Sequence, residues 1–283
     1  MDLLNKVMLV TGASNGIGLE ACVVLARRGA RVLMVARDPA RGEAAMAQVK
    51  ARSGSEKVEL LLCDLSSQAA IRGLAEAVKA RTDRLDVLVN NAGGVSETRQ
   101  LTVDGIEQTF AVNHLAYFQL TMLLLDLLEK SGPARVVNVS SRGHRRGTLD
   151  LEDPGFEKGG YSIMGAYCRS KLANVLFTRE LARRMEGRGV TANCLHPGGV
   201  ATNIWSRAPA WTKPLISVVG YFAFITPEDG AKPIIHLAAS PEMEGRSGEY
   251  WNRMKREEPI ALAKNVELAG RLWEKSAGWV ALS

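Results

Sequence analysis

The sequence predicts a doubly wound α/β fold: one domain over residues 1–283, built on a mostly parallel seven-stranded sheet with helices on both faces. Three observations predict it. Short apolar runs alternate along the chain with segments of helical period, the pattern of a parallel sheet covered on both sides. A glycine-rich turn, Gly12 to Gly18, follows the first apolar run directly. At 283 residues a compact domain buries roughly 75% of its unfolded surface, so no metal or disulfide is needed to hold it.

The elements follow in order. Val7–Val10 is a buried strand and Ile17–Arg28 has helical period. Arg31–Ala36 is the second strand, and a charged helix runs from Pro39 to about Arg52. Val58–Cys63 is the third strand, with a helix from Ser67 to about Arg81. Asp86–Val89 is the fourth strand, and residues 103–112 and 113–130 predict two helices. Arg135–Val139 is the fifth strand. Gly165–Met185 is a helix, Val190–Leu195 the sixth strand, and Gly248–Trp251 a short seventh. Right-handed crossovers between parallel strands then give the doubly wound order. Two stretches are irregular. Residues 142–165 are polar and glycine-rich. Residues 197–226 hold Pro197, Pro209, Pro214, Trp205 and Trp211. Long loops in compact domains are usually functional, so the second is expected to cover an apolar substrate with Leu215, Ile216, Tyr221 and Phe222. An oligomer contact or a membrane-surface patch is the alternative.

Composition excludes several classes. With 46% hydrophobic and 23% charged residues the chain is not disordered. The net charge of +6 is dispersed, so no nucleic-acid partner is expected; an anionic cofactor accounts for some of the basic residues. The four cysteines, Cys22, Cys63, Cys168 and Cys194, form no CxxC pair and no metal pattern, which predicts reduced thiols in the cytoplasm. The first strand begins too near Met1 to leave room for a signal peptide. The longest apolar run, Ile216 to Ile225, is about half of a bilayer span, so no integral membrane anchor is expected. Asn138-Val139-Ser140 fits a glycosylation sequon but falls in an apolar strand.

The glycine run carries the first chemistry. Gly12 permits a tight turn, Gly16 lets backbone approach a pyrophosphate, and Gly18 lets the helix pack close to the sheet. The helix N-terminus, with Ser14, Asn15 and Ile17 in the same turn, offers unpaired N–H groups and a favourable dipole to phosphate. Gly12 to Gly16 also fits G-x-S-x-G, a hydrolase elbow. There the serine would follow the very first strand, and His196 and His236 have no distinctive setting, which argues against hydrolysis. At the end of the second strand an NAD site places an acid. Here Ala36 stands at that position and Arg37 follows, suited to a 2′-phosphate; Asp38 is either a ribose ligand or a helix cap. NADP(H) is therefore preferred, with NAD(H) possible. Asp64-Leu65 ends the third strand, where Asp64 either meets the adenine or caps a helix. Asn91, Ala92 and Gly93 suit a cofactor passing close to backbone.

Tyr167 and Lys171 carry the second chemistry. They stand four residues apart on one helical face. Hydride addition to a carbonyl builds an alkoxide that needs a proton. A free phenol has a pKa of about 10, and a nearby ammonium is expected to lower it. Ser141, at a strand end, can polarise the substrate oxygen. Asn113 can hold a water in a relay through Lys171.

Together, Thr11-Gly12-x-x-x-Gly16-x-Gly18, Asp64, Asn90-Asn91-Ala92-Gly93, Asn113, Ser141, Tyr167-x-x-x-Lys171 and Pro197-Gly198 resemble the short-chain dehydrogenase/reductase family over essentially the whole chain. The run Ala166 to Leu181, Leu195-His196-Pro197-Gly198 and the 26-residue step from Ser141 to Tyr167 are similar to its retinol-dehydrogenase-like branch. The resemblance implies the Rossmann fold and a catalytic tetrad of Asn113, Ser141, Tyr167 and Lys171. It implies that Pro197, Gly198, Val200 and Thr202 line the nicotinamide site, with Thr202 on the carboxamide, and that His196 is structural. The chain departs from the membrane-bound members in lacking their N-terminal anchor, and its substrate loop differs. Asn15 stands where many NADPH-preferring members have a basic residue. The expected activity is NADP(H)-dependent interconversion of a hydrophobic aldehyde or ketone with its alcohol. A cofactor-binding regulator or scaffold with little turnover is the alternative. The helices at 113–130 and 166–185 could pair in a homodimer.

Overall fold

A computed structural model describes residues 3–199 and 225–281. Eight strands form one sheet: β1 Val7–Thr11, β2 Arg31–Ala36, β3 Val58–Leu62, β4 Val87–Asn90, β5 Ala134–Val139, β6 Val190–His196, β7 Tyr250–Asn252 and β8 Lys255–Glu257. Their order is β3-β2-β1-β4-β5-β6-β7-β8. All neighbours are parallel except β7 and β8. The expected count of seven is thus corrected to eight. β8 is a three-residue charged edge, Lys255-Arg256-Glu257, with no apolar run to announce it. It folds back after Arg253, whose φ is +55°.

Strand residues alternate between two cores, as a period of two requires. Val7 and Leu9 face one cluster; Met8 and Val10 face the other. The second face is covered by α1 Gly16–Arg27, α2 Pro39–Ser53 and α8 Pro227–Ala239. The first is covered by α3 Gln68–Lys79, α5 Ala116–Leu123, α6 Leu125–Ser131, α7 Ile163–Arg184 and α9 Val266–Trp279. Asp38, Ser67, Ser162, Thr226 and Asn265 cap α2, α3, α7, α8 and α9. Asp86 ties β1 to β4: its buried carboxylate accepts from the Val7 N–H, Lys6 and Arg84 at 2.6–2.9 Å.

Two expectations about helices change. Residues 103–107 form a turn around Gly105 (φ +74°), not a helix. Glu107 then caps a short helix, α4 Gln108–Phe110, by accepting from the Thr109 and Phe110 N–H groups. A π turn, Ala111–Leu115, joins α4 to α5. Helices α8 and α9 lie beyond the elements read from the sequence. Pro233 inside α8 reads as a breaker, and the apolar stripe of α9, with Ala269, Leu272 and Trp273 buried, goes unassigned in the sequence reading. No single helix among the described residues is long and apolar enough to cross a membrane. The bent pair Gln108–Leu123 and Leu125–Ser131 comes nearest by composition, and its Phe118, Leu120, Leu127 and Leu128 are core residues.

Helix α9 packs on the two helices proposed above for a dimer. Trp273 lies 5.0 Å from the Phe118 ring and 5.9 Å from the Phe177 ring. His114, in the π turn, bonds Ser276 at 3.0 Å. Burial pushes His114 down to about 3, so its ring is neutral in this core. Trp273→Ala is expected to destabilise the fold by about 3–5 kcal/mol in urea unfolding, the range for a buried tryptophan. A loss below about 1 kcal/mol would show that α9 contributes little packing.

Candidate active site

The order of strands reverses between β1 and β4, which opens a crevice at their C-terminal ends. A groove of about 1020 Å³ occupies it. Its walls come from the turns after β1, β2, β3, β4, β5 and β6 and from α7.

One end is a turn of glycines. Gly12 has φ +65°, and a Cβ there would lie 2.8 Å from the Ala92 Cα. A Cβ on Gly18 would meet Asn91 Nδ2 and the Gly12 carbonyl at 2.5 Å. Only glycine permits this approach. The Thr11 hydroxyl accepts from the N–H groups of Asn91 and Ala92, at 2.9 and 3.1 Å. The Asn91 amide donates to the carbonyls of Thr11 and Gly12, at 2.8 and 3.2 Å. These bonds fasten the β1 turn to the β4 turn. Asn15 precedes α1 in an extended conformation and makes no side-chain capping bond, and the first turn has no acid. The first N–H groups of α1 therefore remain available to an anion. Ser14, Asn15, Gly16 and Ile17 line the groove. This donor set fits the pyrophosphate of a dinucleotide.

Arg37 lies at the same end, and so does Arg41, which the sequence reading missed. Arg41 is the third residue of α2 and lines the groove together with Arg37. The two roles left open for Asp38 resolve as a cap: its carboxylate accepts from the Arg41 N–H at 2.9 Å, with the Arg41 guanidinium at 3.6 Å. That bond and the neighbouring guanidinium hold Asp38 below the usual carboxylate range. Asp64 and Leu65 line the groove next to them. Asp64 accepts from the Ser66 N–H and hydroxyl at 3.0 and 2.8 Å, and Ser67, not Asp64, caps α3.

The other end gathers Ser141, Tyr167 and Lys171. Ser141 begins a helical turn, Arg142–Arg146, and its hydroxyl oxygen accepts from the Gly143 N–H at 3.0 Å. The Tyr167 hydroxyl pairs with the Ser141 side chain. Lys171 is 3% exposed; its Nζ donates to the Val139 carbonyl at 3.0 Å and stands 5.8 Å from the Tyr167 ring centre. Burial governs both titrations. It raises the Tyr167 hydroxyl, against the pull of Ser141, and pushes Lys171 down to about 7. The sequence reading expected the lysine to lower the tyrosine; in the protein alone the tyrosine moves upward, because desolvation outweighs its neighbours.

Asn113 is fully buried beneath the groove and does not line it. Its Oδ1 accepts from the Gly94 N–H at 2.8 Å, and its amide donates to the Gly94 carbonyl and to Ser170. Asn113 lies in the π turn, a feature frequent at functional sites. A Cβ on Gly93 would lie 3.2 Å from Asn113 Oδ1 and 3.6 Å from Lys171 Nζ. Gly93, Pro197 and Gly198 line the groove. Gly198 has φ +110°, and a Cβ there would strike Ile225 at 2.6 Å. His196 is held down at about 4 by burial, then by Arg142 and Arg253, so it is neutral near pH 7. Val200, Thr202 and the apolar side chains of the expected lid, Trp205, Trp211, Pro214, Leu215, Ile216, Tyr221 and Phe222, lie outside the described residues.

A cradle for a dinucleotide at one end, and a tyrosine, a serine and a lysine at the other, define a nucleotide-dependent oxidoreductase. The comparison with protein families agrees: residues 6–213 match the model for short chain dehydrogenase. The chain belongs to the short-chain dehydrogenase/reductase family, in its retinol-dehydrogenase-like branch, and is an oxidoreductase acting on CH–OH donors. It is 42% identical to retinol dehydrogenase 14 of Homo sapiens, over 98% of this chain and 87% of that one. It is 38% identical to retinol dehydrogenase 13 of Homo sapiens, over 98% and 85%. The crystal structure of an uncharacterized protein from Mycobacterium paratuberculosis has a TM-score of 0.80 at 31% identity, over 99% of this chain and 95% of that one. A short chain dehydrogenase from Burkholderia cenocepacia in complex with NADP has a TM-score of 0.71 at 27% identity, over 89% and 97%.

The buried lysine has a consequence for stability. Its folded pKa of about 7 lies below the unfolded value of about 10.4. Below about 7 both states are protonated, and the folded state bears the whole cost of burying an ammonium. As pH rises through the folded value the unfolded state holds more protons, so stability climbs until the unfolded value is passed. Lys171→Met is therefore expected to melt above wild type at pH 6, by calorimetry, with the advantage shrinking steadily as pH is raised to 10. A difference independent of pH would refute this.

Proposed function

We propose that the chain is an NADPH-linked reductase of hydrophobic aldehydes and ketones, reversible with their alcohols. The observation that carries this reading is the placing of Ser141, Tyr167 and Lys171 on one wall of a groove whose far end holds Arg37 and Arg41. When bound, the nicotinamide supplies the hydride to the carbonyl carbon, or accepts it from the alcohol.

The chain's own residues handle the oxygen and its proton. Ser141 takes the Gly143 N–H on its oxygen and keeps its hydrogen to donate to the substrate oxygen. Tyr167, raised by burial, stays a neutral phenol near pH 7 and gives its proton to the forming alkoxide. Lys171, at about 7, can exchange a proton near neutrality and so restores the phenol. Asn113 clamps Gly94 to α7 through Ser170 and anchors the relay beneath the lysine. Val95, Val112 and Met164 give the reacting end an apolar wall, and the relatives named retinol dehydrogenase support a hydrophobic substrate. Arg37 and Arg41 suit a 2′-phosphate bidentately, with Asp38 already engaged by α2. The four cysteines are free and buried, which supports a reducing, cytoplasmic setting.

Tyr167→Phe is expected to abolish turnover across a carbonyl panel while NADPH affinity, read by fluorescence titration, stays within about twofold of wild type. Unchanged turnover would overturn the mechanism, and NADPH binding without turnover by the native chain would favour a cofactor-binding regulator. Arg37→Ala is expected to raise the KM for NADPH about tenfold or more, the weight of a charge-assisted bond, with little change for NADH. Equal effects on both cofactors would reject the 2′-phosphate assignment.

A further inference from the structure

The charges along the groove are unevenly placed. Its carboxylates, Asp38 and Asp64, both lie at the glycine-turn end. The reacting end carries Arg142, Arg145 and Arg146 and no carboxylate. Arg145 is engaged elsewhere: it donates to Glu257 at 3.0 Å and to the Glu258 carbonyl at 3.2 Å. Among the described residues, Arg142 and Arg146 form no close ion pair and both are exposed; Glu257, which feels Arg142 at longer range, is already bonded by Arg145 and Asn252. Residues 200–224 contain Arg207 and Lys213 but no Asp or Glu, so that segment brings them no carboxylate either.

The turn that carries them is held firmly. His144 Nδ1 lies 2.7 Å from the Ser141 carbonyl. A Cβ on Gly143 would sit 3.2 Å from the Tyr167 ring, and one on Gly147 would strike the Cys168 carbonyl at 2.5 Å. The turn is therefore pressed against the catalytic tyrosine. The guanidiniums are felt by the turn's neighbours: Arg142 adds to the burial that depresses His196 and helps hold Glu257 low, and Arg146 opposes the burial that raises Cys168. Two like charges on one turn repel each other and contribute nothing to the core. They are matched to an anion that enters by the groove.

The geometry points to a substrate that is at once a carbonyl and an anion: an apolar aldehyde or ketone bearing a carboxylate, with its reacting carbon at Tyr167 and its carboxylate at Arg142 and Arg146. This rests on the reductase reading above and narrows its substrate class to oxo acids and the corresponding hydroxy acids. The carbonyl carbon takes the hydride from NADPH, the carbonyl oxygen takes the Tyr167 proton, and the carboxylate is unchanged. NADP+ and the hydroxy acid leave.

The test is a matched pair of medium-chain aldehydes, one ending in a carboxylate and the other in its methyl ester, followed by loss of NADPH absorbance. The acid is expected to exceed the ester in kcat/KM by about tenfold at low ionic strength, the weight of a charge-assisted contact, and by less as salt is added. In the Arg142→Ala/Arg146→Ala variant the ratio falls toward unity; in Arg142→Lys/Arg146→Lys a preference persists. Because both aldehydes are measured on the same variant, the ratio cancels any general effect on turnover. Its salt dependence in the native chain tests the same point should the double variant fail to fold. Ester turnover without a preference for the acid, or a preference that survives the alanines, would overturn this inference alone. Turnover of neither aldehyde would overturn the reductase reading and this inference with it. If the alanine variant loses sedimentation with phosphatidylserine–phosphatidylcholine vesicles while its acid-to-ester ratio holds, the arginines serve a lipid surface and the inference fails.

Discussion

The site depends on the fastening of two turns across the point where the sheet reverses its order. Four hydrogen bonds join the β1 and β4 ends: the Thr11 hydroxyl accepts from the Asn91 and Ala92 N–H groups, and the Asn91 side-chain amide donates to the Thr11 and Gly12 carbonyls. On the β1 side this sets the glycine turn and the start of α1. On the β4 side it sets the backbone of Ala92 to Gly94, which Asn113 and Tyr117 then hold from below. Neither half of the groove could keep its shape if this lock slipped. The phosphate cradle and the reacting end share it.

A second polar chain runs through the core behind that lock. Asn90 donates to Thr121 and Asn138, Asn138 donates to Thr178, and Thr178 donates to the Asn174 carbonyl. It joins α5, β4, β5 and α7, so the elements that carry Asn113, Ser141 and Lys171 are set by directional bonds as well as by packing. The side-chain atoms Asn90 Oδ1, Asn174 Oδ1 and Asn174 Nδ2 have no partner in this polar chain, so its hold comes from the four bonds named. The same dry surroundings bring Lys171 close to neutrality and keep Tyr167 protonated. A desolvated core thus performs two tasks: it fixes the register of the site and shifts the titration of Tyr167 and Lys171.

Much of this was legible in the residue order, and the reasons are physical. Buried parallel strands are short apolar runs, so β1 to β6 stood out. Gly12, Gly16 and Gly18 stood out because backbone approach demands them, and Tyr167 and Lys171 because i and i+4 share a helical face. The illegible parts lack such constraints. β8 is charged and three residues long, and α9 earns its place through tertiary packing of Trp273 and Ser276 rather than through propensity. Arg41 is an ordinary surface arginine until the start of α2 places it on the groove wall with Arg37. The direction of the Tyr167 shift needed the burial around it, which four letters of spacing do not record.

The docking of α9 also bears on how the molecule is made. It is synthesised after every other described element, yet Trp273 and Ser276 cover the aromatic rings and the histidine that flank the turn carrying Asn113. While the ribosome still holds that segment, the nascent sheet can assemble but its greasy flank stays bare. The flank beneath Asn113 is therefore the last part of the described chain to gain its cover.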